Sequence, residues 1–351
     1  MGAKRAPQGL SKASKRSKTE KVEPEEATIE LPDGIDPEDE VGAMAALLDT
    51  YRQSDRDSPK VLHAVVHEAD RILRNSTAPE ALPAQFHQTY SAALLYLSAF
   101  AKKKNDKTEG PEDFIAAAIE RASLGLEHHT GHVGLLLARA EANIAGVERK
   151  TRSAKAKSIE AAIPYYRAAR EDYEAAASAA GDARGPLVDV LRRFSKVLET
   201  TVDAPYFLQK VPESYDWLEG AWKAEQAKDA SPALARALGE LYLARAQPFV
   251  AQVEAEYDEE GSDDDDDDEP ESEAAQEAQR WLTLALEQLQ RAEADAAGEY
   301  LAVVAEAQIS LANLKDEGDE QTALYAAAVE RLTRAQELGA GDYSEMISEL
   351  S

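Results

Sequence analysis

The sequence predicts an all-α protein built from stacked helical hairpins. Hydrophobic residues make up 44% of the chain but aromatic ones only 6%, and alternating β-branched runs, which would indicate strands, are nearly absent. Apolar residues instead recur at the three- and four-residue spacing of a helix face. Ser58-Pro59 and Ser231-Pro232 have the pattern of an N-cap followed by proline in the first turn. We therefore expect degenerate hairpins of the tetratricopeptide or HEAT type, without a regular repeat period.

The first 38 residues predict a disordered basic tail, because they are polar and contain little that can be buried. Their basic residues form clusters separated by a short spacer, which suits the acidic groove of a nuclear import receptor. A generic basic tail is the competing interpretation. The residues assigned to this predicted nuclear localisation signal are Lys4, Arg5, Lys12, Lys15, Arg16 and Lys18.

Residues 39–147 are predicted to form an N-terminal helical unit. Its clearest helix begins at Ser58, where an apolar stripe of helical period runs from Val61 to Leu73. In the helix that follows we expect four residues to point inward. These are Phe86, Tyr90, Leu94 and Leu97.

Residues 155–251 predict further helical hairpins. One helix is expected to run without a break from Ser158 to Gly181, and another over residues 231–247. The second contains Gly239, which resembles the tetratricopeptide glycine that lets a paired helix approach closely.

Residues 252–275 contain no Lys or Arg and predict a disordered acidic loop, because like charges repel and little can be buried. Tetratricopeptide-like helices are then expected over 276–351. The centre of the loop is an aspartate run made of Asp263, Asp264, Asp265, Asp266, Asp267 and Asp268.

The charge of the chain limits its partners. A formal net charge of -28 argues against direct binding to nucleic acid or to an anionic membrane, and favours a basic protein partner. An acidic surface that only keeps the protein soluble is the alternative. The chain has no cysteine, which excludes disulfides and thiolate chemistry. We also find neither a secretory signal nor an apolar stretch long enough to span a bilayer.

Catalytic motifs are absent from the sequence, which has no phosphate-binding glycine loop and no nucleophile elbow. His63 and His67 have metal-compatible helical spacing, but Ala64 stands where a zinc protease would have glutamate. A metal-dependent enzyme is thus the weakest interpretation. The other histidine cluster, at residues 128–132, is explained equally well by contacts at a helix end.

Three segments resemble the fungal enhancer of translation termination family, which includes a negative regulator of a prolyl-hydroxylase-type dioxygenase. They are "SDRDSPKVLHAVVHEADRILR" at 54–74, "FIAAAIERASLGLEHH" at 114–129 and "AKRAPQGLSK" at 3–12. The resemblance is specific up to about residue 140 and weaker beyond it. It is also consistent with the helix order and with an acidic insertion.

This resemblance implies an all-helical adaptor rather than an enzyme. The adaptor would be located in the nucleus or would shuttle between nucleus and cytoplasm. It implies three partners: a 2-oxoglutarate- and iron-dependent prolyl dioxygenase, the basic small-subunit ribosomal protein that this dioxygenase hydroxylates, and a nuclear import receptor. The implied roles are translation termination and control of hypoxic gene expression. Iron and 2-oxoglutarate would belong to the dioxygenase, so this chain is expected to need no cofactor.

The same resemblance, together with helical spacing, selects candidate contact residues around the helix that begins at Ser58. Competing local roles are helix capping by Asp55 and Asp57, and a pair between Glu68 and Arg71. The aspartate run is a candidate for shielding the basic ribosomal protein. The candidate contact residues are Asp55, Asp57, His63, His67, Asp70, Arg71 and Arg74.

A co-chaperone or scaffold of the tetratricopeptide type, without a link to translation, is the alternative from another class. It predicts a peptide groove lined by Lys and Arg. In this interpretation the helical body offers few clustered basic residues apart from the loop at 102–107, so the adaptor is favoured.

Overall fold

The computed structural model confirms the all-α prediction. Over the part of the chain that it describes, it contains helices and their connections and no strand. None of these helices is long and apolar enough to cross a membrane. The structure describes residues 36, 38–78, 81–102, 109–152, 155–181, 184–201, 204–260, 272–293 and 297–350.

The helices follow one another closely along the chain. The first seven are α1 (Glu40–Gln53), α2 (Pro59–Asn75), α3 (Ala84–Phe100), α4 (Pro111–His128), α5 (Val133–Thr151), α6 (Ala156–Glu160) and α7 (Ile163–Ala179). The next eight are α8 (Gly185–Thr200), α9 (Ala204–Lys210), α10 (Ser214–Gln226), α11 (Pro232–Glu260), α12 (Glu273–Arg291), α13 (Gly298–Ala312), α14 (Asp319–Glu337) and α15 (Ser344–Leu350).

The described residues form two compact units. The first comprises those up to Arg149 together with Tyr165–Gly181, and the second comprises Lys150–Pro164 together with those from residue 184 onward. Apart from the limits of the acidic loop, which the helix bounds correct below, the domain limits expected from the sequence stay predictions.

The first unit has its core among α1, α2, α3 and α4. Ser58 caps α2, and Pro59 begins it, as predicted. The four residues expected to point inward from α3 are all buried. They join Met44 and Leu48 of α1 in one hydrophobic cluster. Burial of this apolar surface is the main term that holds the four helices together.

The second unit continues as serial helix packing, with α10 against α11, α11 against α12, α12 against α13, and α13 against α14. Gly239 of α11 meets α12 as predicted, because a Cβ built on it would lie 2.7 Å from the Cγ of Leu289. A larger side chain there would push α11 and α12 apart. Serial packing with close helix contacts is typical of stacked hairpins.

The sequence prediction is wrong at several helix boundaries. The single helix expected from Ser158 is divided into α6 and α7. Pro164 explains the division, because its ring clashes with the carbonyl of residue 160 and it has no N–H to continue the ladder. It stands instead in the first turn of α7, where proline is tolerated. The short helix α9 and the separate helix α1 were not expected as individual elements.

The acidic loop was also predicted too wide. Helix α11 continues through Pro248 to Glu260, so residues 252–260 are helical, and 273–275 belong to α12. A proline inside a helix leaves the carbonyl four residues earlier without its usual donor. That carbonyl belongs to Ala244, and it accepts a hydrogen bond of 3.3 Å from the Tyr215 hydroxyl on α10. Beyond the proline, Val253 is buried with Ala274 and Ala275 of α12, which stabilises this end of α11.

We expect Tyr215→Phe to lower the free energy of unfolding of the second unit by about 1–2 kcal/mol, because a partly buried carbonyl loses its donor. Burial raises the pKa of Tyr215 to about 12, so the hydroxyl keeps its proton at neutral pH. Urea unfolding followed by tryptophan fluorescence measures the change, since Trp217, Trp222 and Trp281 all lie in this unit. An unchanged transition midpoint would show that Tyr215 does not support α11 at Pro248.

Candidate protein-binding surface on α2

Helix α2 is strongly amphipathic. Leu62, Val65, Ala69 and Ile72 are buried against the core of the first unit. The opposite side carries charged and imidazole groups at helical spacing. Its exposed candidate residues are His63, His67, Arg71 and Arg74.

The turn before α2 is held by residues other than its aspartates. Arg56 has a φ of 57°, a left-handed conformation that is uncommon for a residue with a side chain. The Tyr51 hydroxyl donates to the Arg56 carbonyl over 3.2 Å, and the Arg56 Nε donates to the Arg52 carbonyl over 3.2 Å. These bonds fix the turn, while Asp55 and Asp57 are exposed.

The alternative that Asp55 or Asp57 caps α2 is wrong. Ser58 is the N-cap, and its Oγ accepts from the Lys60 N–H over 3.4 Å. Both carboxylates are thus exposed in the turn that precedes α2.

Arg71 has a local structural role. Its Nε donates to Glu68 over 2.9 Å, and its Nη2 donates to Glu40 of α1 over 2.9 Å. The bond to Glu68, supported by Glu40, raises the pKa of Arg71. The predicted local pair is thus confirmed, and it extends to α1. All three side chains are partly exposed, so we expect little contribution to stability from these ion pairs.

Asp70 faces α3 rather than solvent alone. It accepts a hydrogen bond of 2.6 Å from the Tyr90 hydroxyl, and the Arg121 guanidinium lies 4.8 Å from the centre of the Tyr90 ring. Burial and the neighbouring Asp70 carboxylate raise the pKa of Tyr90, while burial lowers that of Arg121. This arrangement links α2, α3 and α4. Helical spacing predicted Tyr90 as a core residue, but no pattern in the sequence indicated that its hydroxyl donates to Asp70.

The candidate surface that remains for a partner is the exposed set around α2, which we call the α2 surface. Its members are Asp55, Asp57, His63, His67 and Arg74. Mixed charges and two imidazoles on a rigid helix offer directional polar contacts to another protein. Over the residues that the structure describes, no group of three His, Asp or Glu is placed to hold a metal ion, so His63 and His67 have no third ligand there.

The other histidine cluster serves the end of α4. His129 is the C-cap of that helix, and its Nε2 lies 2.8 Å from the Leu82 carbonyl. The Leu135 N–H donates to His132 Nδ1 over 3.4 Å. These contacts agree with the capping interpretation. The six residues of the predicted localisation signal, Lys4 to Lys18, and the aspartate run lie outside the described residues.

Fold and surface together define an all-α protein of stacked helical hairpins with an exposed polar helix face. The sequence model of a family described as nuclear pore complex subunit Nro1 matches residues 2–176 and 187–351. The chain therefore belongs to the Nro1 family, and the family resemblance of residues 54–74 and 114–129 is confirmed.

Curated relatives are similar in sequence to this chain over most of its length. Enhancer of translation termination 1 from Yarrowia lipolytica is 30% identical over 338 residues, covering 90% of this chain and 86% of the relative. The protein of the same name from Candida albicans (strain SC5314) is 28% identical over 382 residues, covering 92% of this chain and 90% of the relative.

Solved structures of Nro1, two of them described as from S. pombe, share the fold. One, of a protein described as a nuclear import adaptor, has a TM-score of 0.64 and 24% identity, covering 90% of this chain and 99% of that chain. A second crystal form has a TM-score of 0.63 and 25% identity. Another is described as the hypoxic regulator of sterol synthesis and a nuclear import adaptor, with a TM-score of 0.62 and 24% identity.

Proposed function

We propose that this chain is a non-enzymatic nuclear import adaptor that acts in translation termination and in the hypoxic control of gene expression. The observation that carries the proposal is the family match over residues 2–176 and 187–351, with relatives described as an enhancer of translation termination, a nuclear import adaptor and a hypoxic regulator of sterol synthesis. The protein would act by binding other proteins, in the nucleus or shuttling between nucleus and cytoplasm.

The adaptor would divide its contacts among three parts of the chain. The basic tail engages a nuclear import receptor, and the α2 surface engages the prolyl dioxygenase. Acidic groups, including the aspartate run, cover the basic small-subunit ribosomal protein in place of the RNA phosphates it meets later. The excess of 67 acidic over 39 basic residues supports this last step.

We expect the double variant His63→Ala/His67→Ala to bind the dioxygenase about tenfold more weakly, because two exposed side chains of the α2 surface are lost as contacts. Both side chains are exposed, so stability should change by less than about 0.5 kcal/mol. The measurement is a pull-down of the purified full-length chain against the dioxygenase and the ribosomal protein, titrated with salt.

The matched control is Gln85→Ala/His128→Ala, which also removes two exposed polar side chains from the first unit. Equal dioxygenase binding by both variants would remove the α2 surface from the mechanism. If less of the ribosomal protein is pulled down as the salt concentration rises, the result supports shielding by acidic groups, because salt screens contacts between exposed charges. Failure of the unmodified chain to bind either protein would favour the scaffold alternative.

A second prediction concerns the tail. Replacing Lys4, Arg5, Lys12, Lys15, Arg16 and Lys18 with alanine is expected to abolish binding to the import receptor and nuclear accumulation of a fluorescent fusion, because an acidic groove loses its cationic ligands. Dioxygenase binding in the pull-down should be unchanged. A fusion that still accumulates in the nucleus would mean that the tail is a generic basic extension.

A further inference from the structure

The turn between α1 and α2 carries an accessible serine. Ser54 is the C-cap of α1, where its backbone is extended with a φ of -82° and a ψ of 176°, and the residue is exposed. The three residues that follow, Asp55, Arg56 and Asp57, are exposed as well. Because a hydroxyl on an exposed connection is open to other proteins, Ser54 can be reached by an enzyme that modifies it.

Ser54 is distinguished by the residues that follow it. Among the serines and threonines that the structure describes, it alone has carboxylates at both the first and the third following positions, Asp55 and Asp57. In an extended segment these two positions point to the same side, while the residue between them points to the other side. Lysine and arginine side chains of an acid-directed protein kinase can therefore bind both carboxylates at once.

Ser58, at the other end of the same turn, lacks this pattern. It is followed by Pro59 and Lys60, and as the N-cap of α2 its Oγ accepts from the Lys60 N–H over 3.4 Å. A kinase that binds carboxylates would meet a positive charge at this position instead. The two serines thus form a matched pair, of which only Ser54 has the recognition groups of an acid-directed kinase.

The hydrogen bonds of Ser54 determine what a phosphate would do to the turn. Its Oγ donates to the Tyr51 carbonyl over 2.8 Å and accepts from the Arg56 N–H over 3.3 Å. A phosphate ester has no proton on this oxygen, so the Tyr51 carbonyl loses the hydroxyl donor. The phosphate also adds a charge of about -1.5 to -2 at the negative end of the α1 dipole. Arg56 supplies one positive charge against the two carboxylates that flank it in the sequence.

We propose that Ser54 is a phosphorylation site of an acid-directed serine kinase and that its phosphate loosens the turn before α2. In the transfer the Ser54 Oγ forms a bond to the γ-phosphorus of ATP, the bond from that phosphorus to the β,γ-bridging oxygen breaks, and ADP leaves. The hydroxyl proton passes to the carboxylate base of the kinase. This modification is independent of the partners proposed for the α2 surface.

The test uses the full-length chain with Ser262→Ala, because Ser262 precedes the aspartate run in the sequence and would compete for the kinase. The folded protein is incubated with a purified acid-directed serine kinase and ATP, and tandem mass spectrometry locates each phosphate. In this background we compare Asp55→Asn/Asp57→Asn with Asp316→Asn/Glu317→Gln. Both variants remove two exposed carboxylates, so neither should disturb folding.

We expect Ser54 to acquire phosphate in the background chain while Ser58 does not. The first variant should be phosphorylated at Ser54 about tenfold more slowly, and the second within about twofold of the background rate. In the phosphorylated background chain the amides of residues 50–57 should exchange hydrogen about fivefold faster, with those of α3 unchanged. No phosphate at Ser54, equal phosphate at Ser54 and Ser58, equal rates in the two variants, or exchange of residues 50–57 that is unchanged or slower would each overturn the proposal.

Discussion

Replacing Asp172 with alanine is expected to lower the free energy of unfolding of the first unit by about 3–5 kcal/mol. The Asp172 carboxylate, on α7, is 5% exposed. It receives two bonds from Arg139 of α5, at 2.9 Å from Nε and 2.6 Å from Nη2. Burial raises the pKa of Asp172, so the fork from Arg139 is what offsets the cost of keeping the carboxylate charged.

The loss of stability in Asp172→Ala would arise because Arg139 is left half-buried without the carboxylate that it pairs with. The bond to Asp172 raises the pKa of Arg139, so the guanidinium stays charged and cannot relieve the cost by losing its proton. Hydrogen exchange of α5 and α7 amides, read by mass spectrometry, measures the change. Tryptophan fluorescence does not report on this unit, because all three tryptophans are in the other one.

Two variants sharpen this test. Glu174→Ala removes an exposed partner of Arg170 on the same helix, and we expect a loss below about 0.5 kcal/mol. The double variant Arg139→Met/Asp172→Leu replaces both charges with apolar groups and should recover most of the stability lost in Asp172→Ala. A double variant as unstable as the single one would show that packing, rather than an uncompensated charge, causes the effect.

Helix positions were predictable where one local signal dominates. The Ser58-Pro59 pair fixes the start of α2, and its apolar stripe selects the buried side without reference to the rest of the chain. A proline by itself does not show whether a helix begins at that position or continues through it. Pro164 begins a helix, whereas Pro248 lies within one, because Tyr215 from another helix provides the missing donor at Ala244. A contact between helices of this kind has no signature in the local pattern.

The candidate contact residues on α2 also show that contacts between helices cannot be predicted from local spacing. Helical spacing placed His63, His67, Asp70 and Arg74 on the polar side of α2, which the structure confirms for all but Asp70. Asp70 turns to Tyr90 of the next helix, a tertiary contact between residues 20 positions apart. Spacing on one helix predicts which residues share a side, but the neighbouring helix decides which of them face solvent.

His87 is expected to make the first unit sensitive to acid. The residue is 3% exposed, and neither ring nitrogen has a hydrogen-bond partner. It is enclosed by Phe86, whose ring centre is 5.2 Å away, and by Gly125, where a Cβ would approach the His87 Cβ to 2.7 Å. Burial lowers the pKa of His87 from 6.5 to about 4, with the positive charge of Arg121 and then His129 and His128 adding to the effect.

The direction of the pH dependence follows from this lowered pKa. Above pH 6.5 the imidazole is neutral in both the folded and the unfolded chain, so its contribution to stability is complete. Between pH 6.5 and about 4 the unfolded chain binds a proton that the folded chain does not. The free energy of unfolding should therefore fall by about 1.4 kcal/mol per pH unit, and by about 3 kcal/mol over the whole window.

The variant His87→Leu tests this assignment, because leucine fills a similar volume, does not titrate and leaves no unpaired ring nitrogen. We expect its stability, measured by hydrogen exchange of α3 and α4 amides, to decline less between pH 6.5 and 4 than that of the unmodified chain. The exposed His63→Ala, which removes an imidazole that does not act on His87, should keep the unmodified slope. If His87→Leu and the unmodified chain lose stability in parallel, the acid sensitivity belongs to carboxylates elsewhere and not to the buried imidazole.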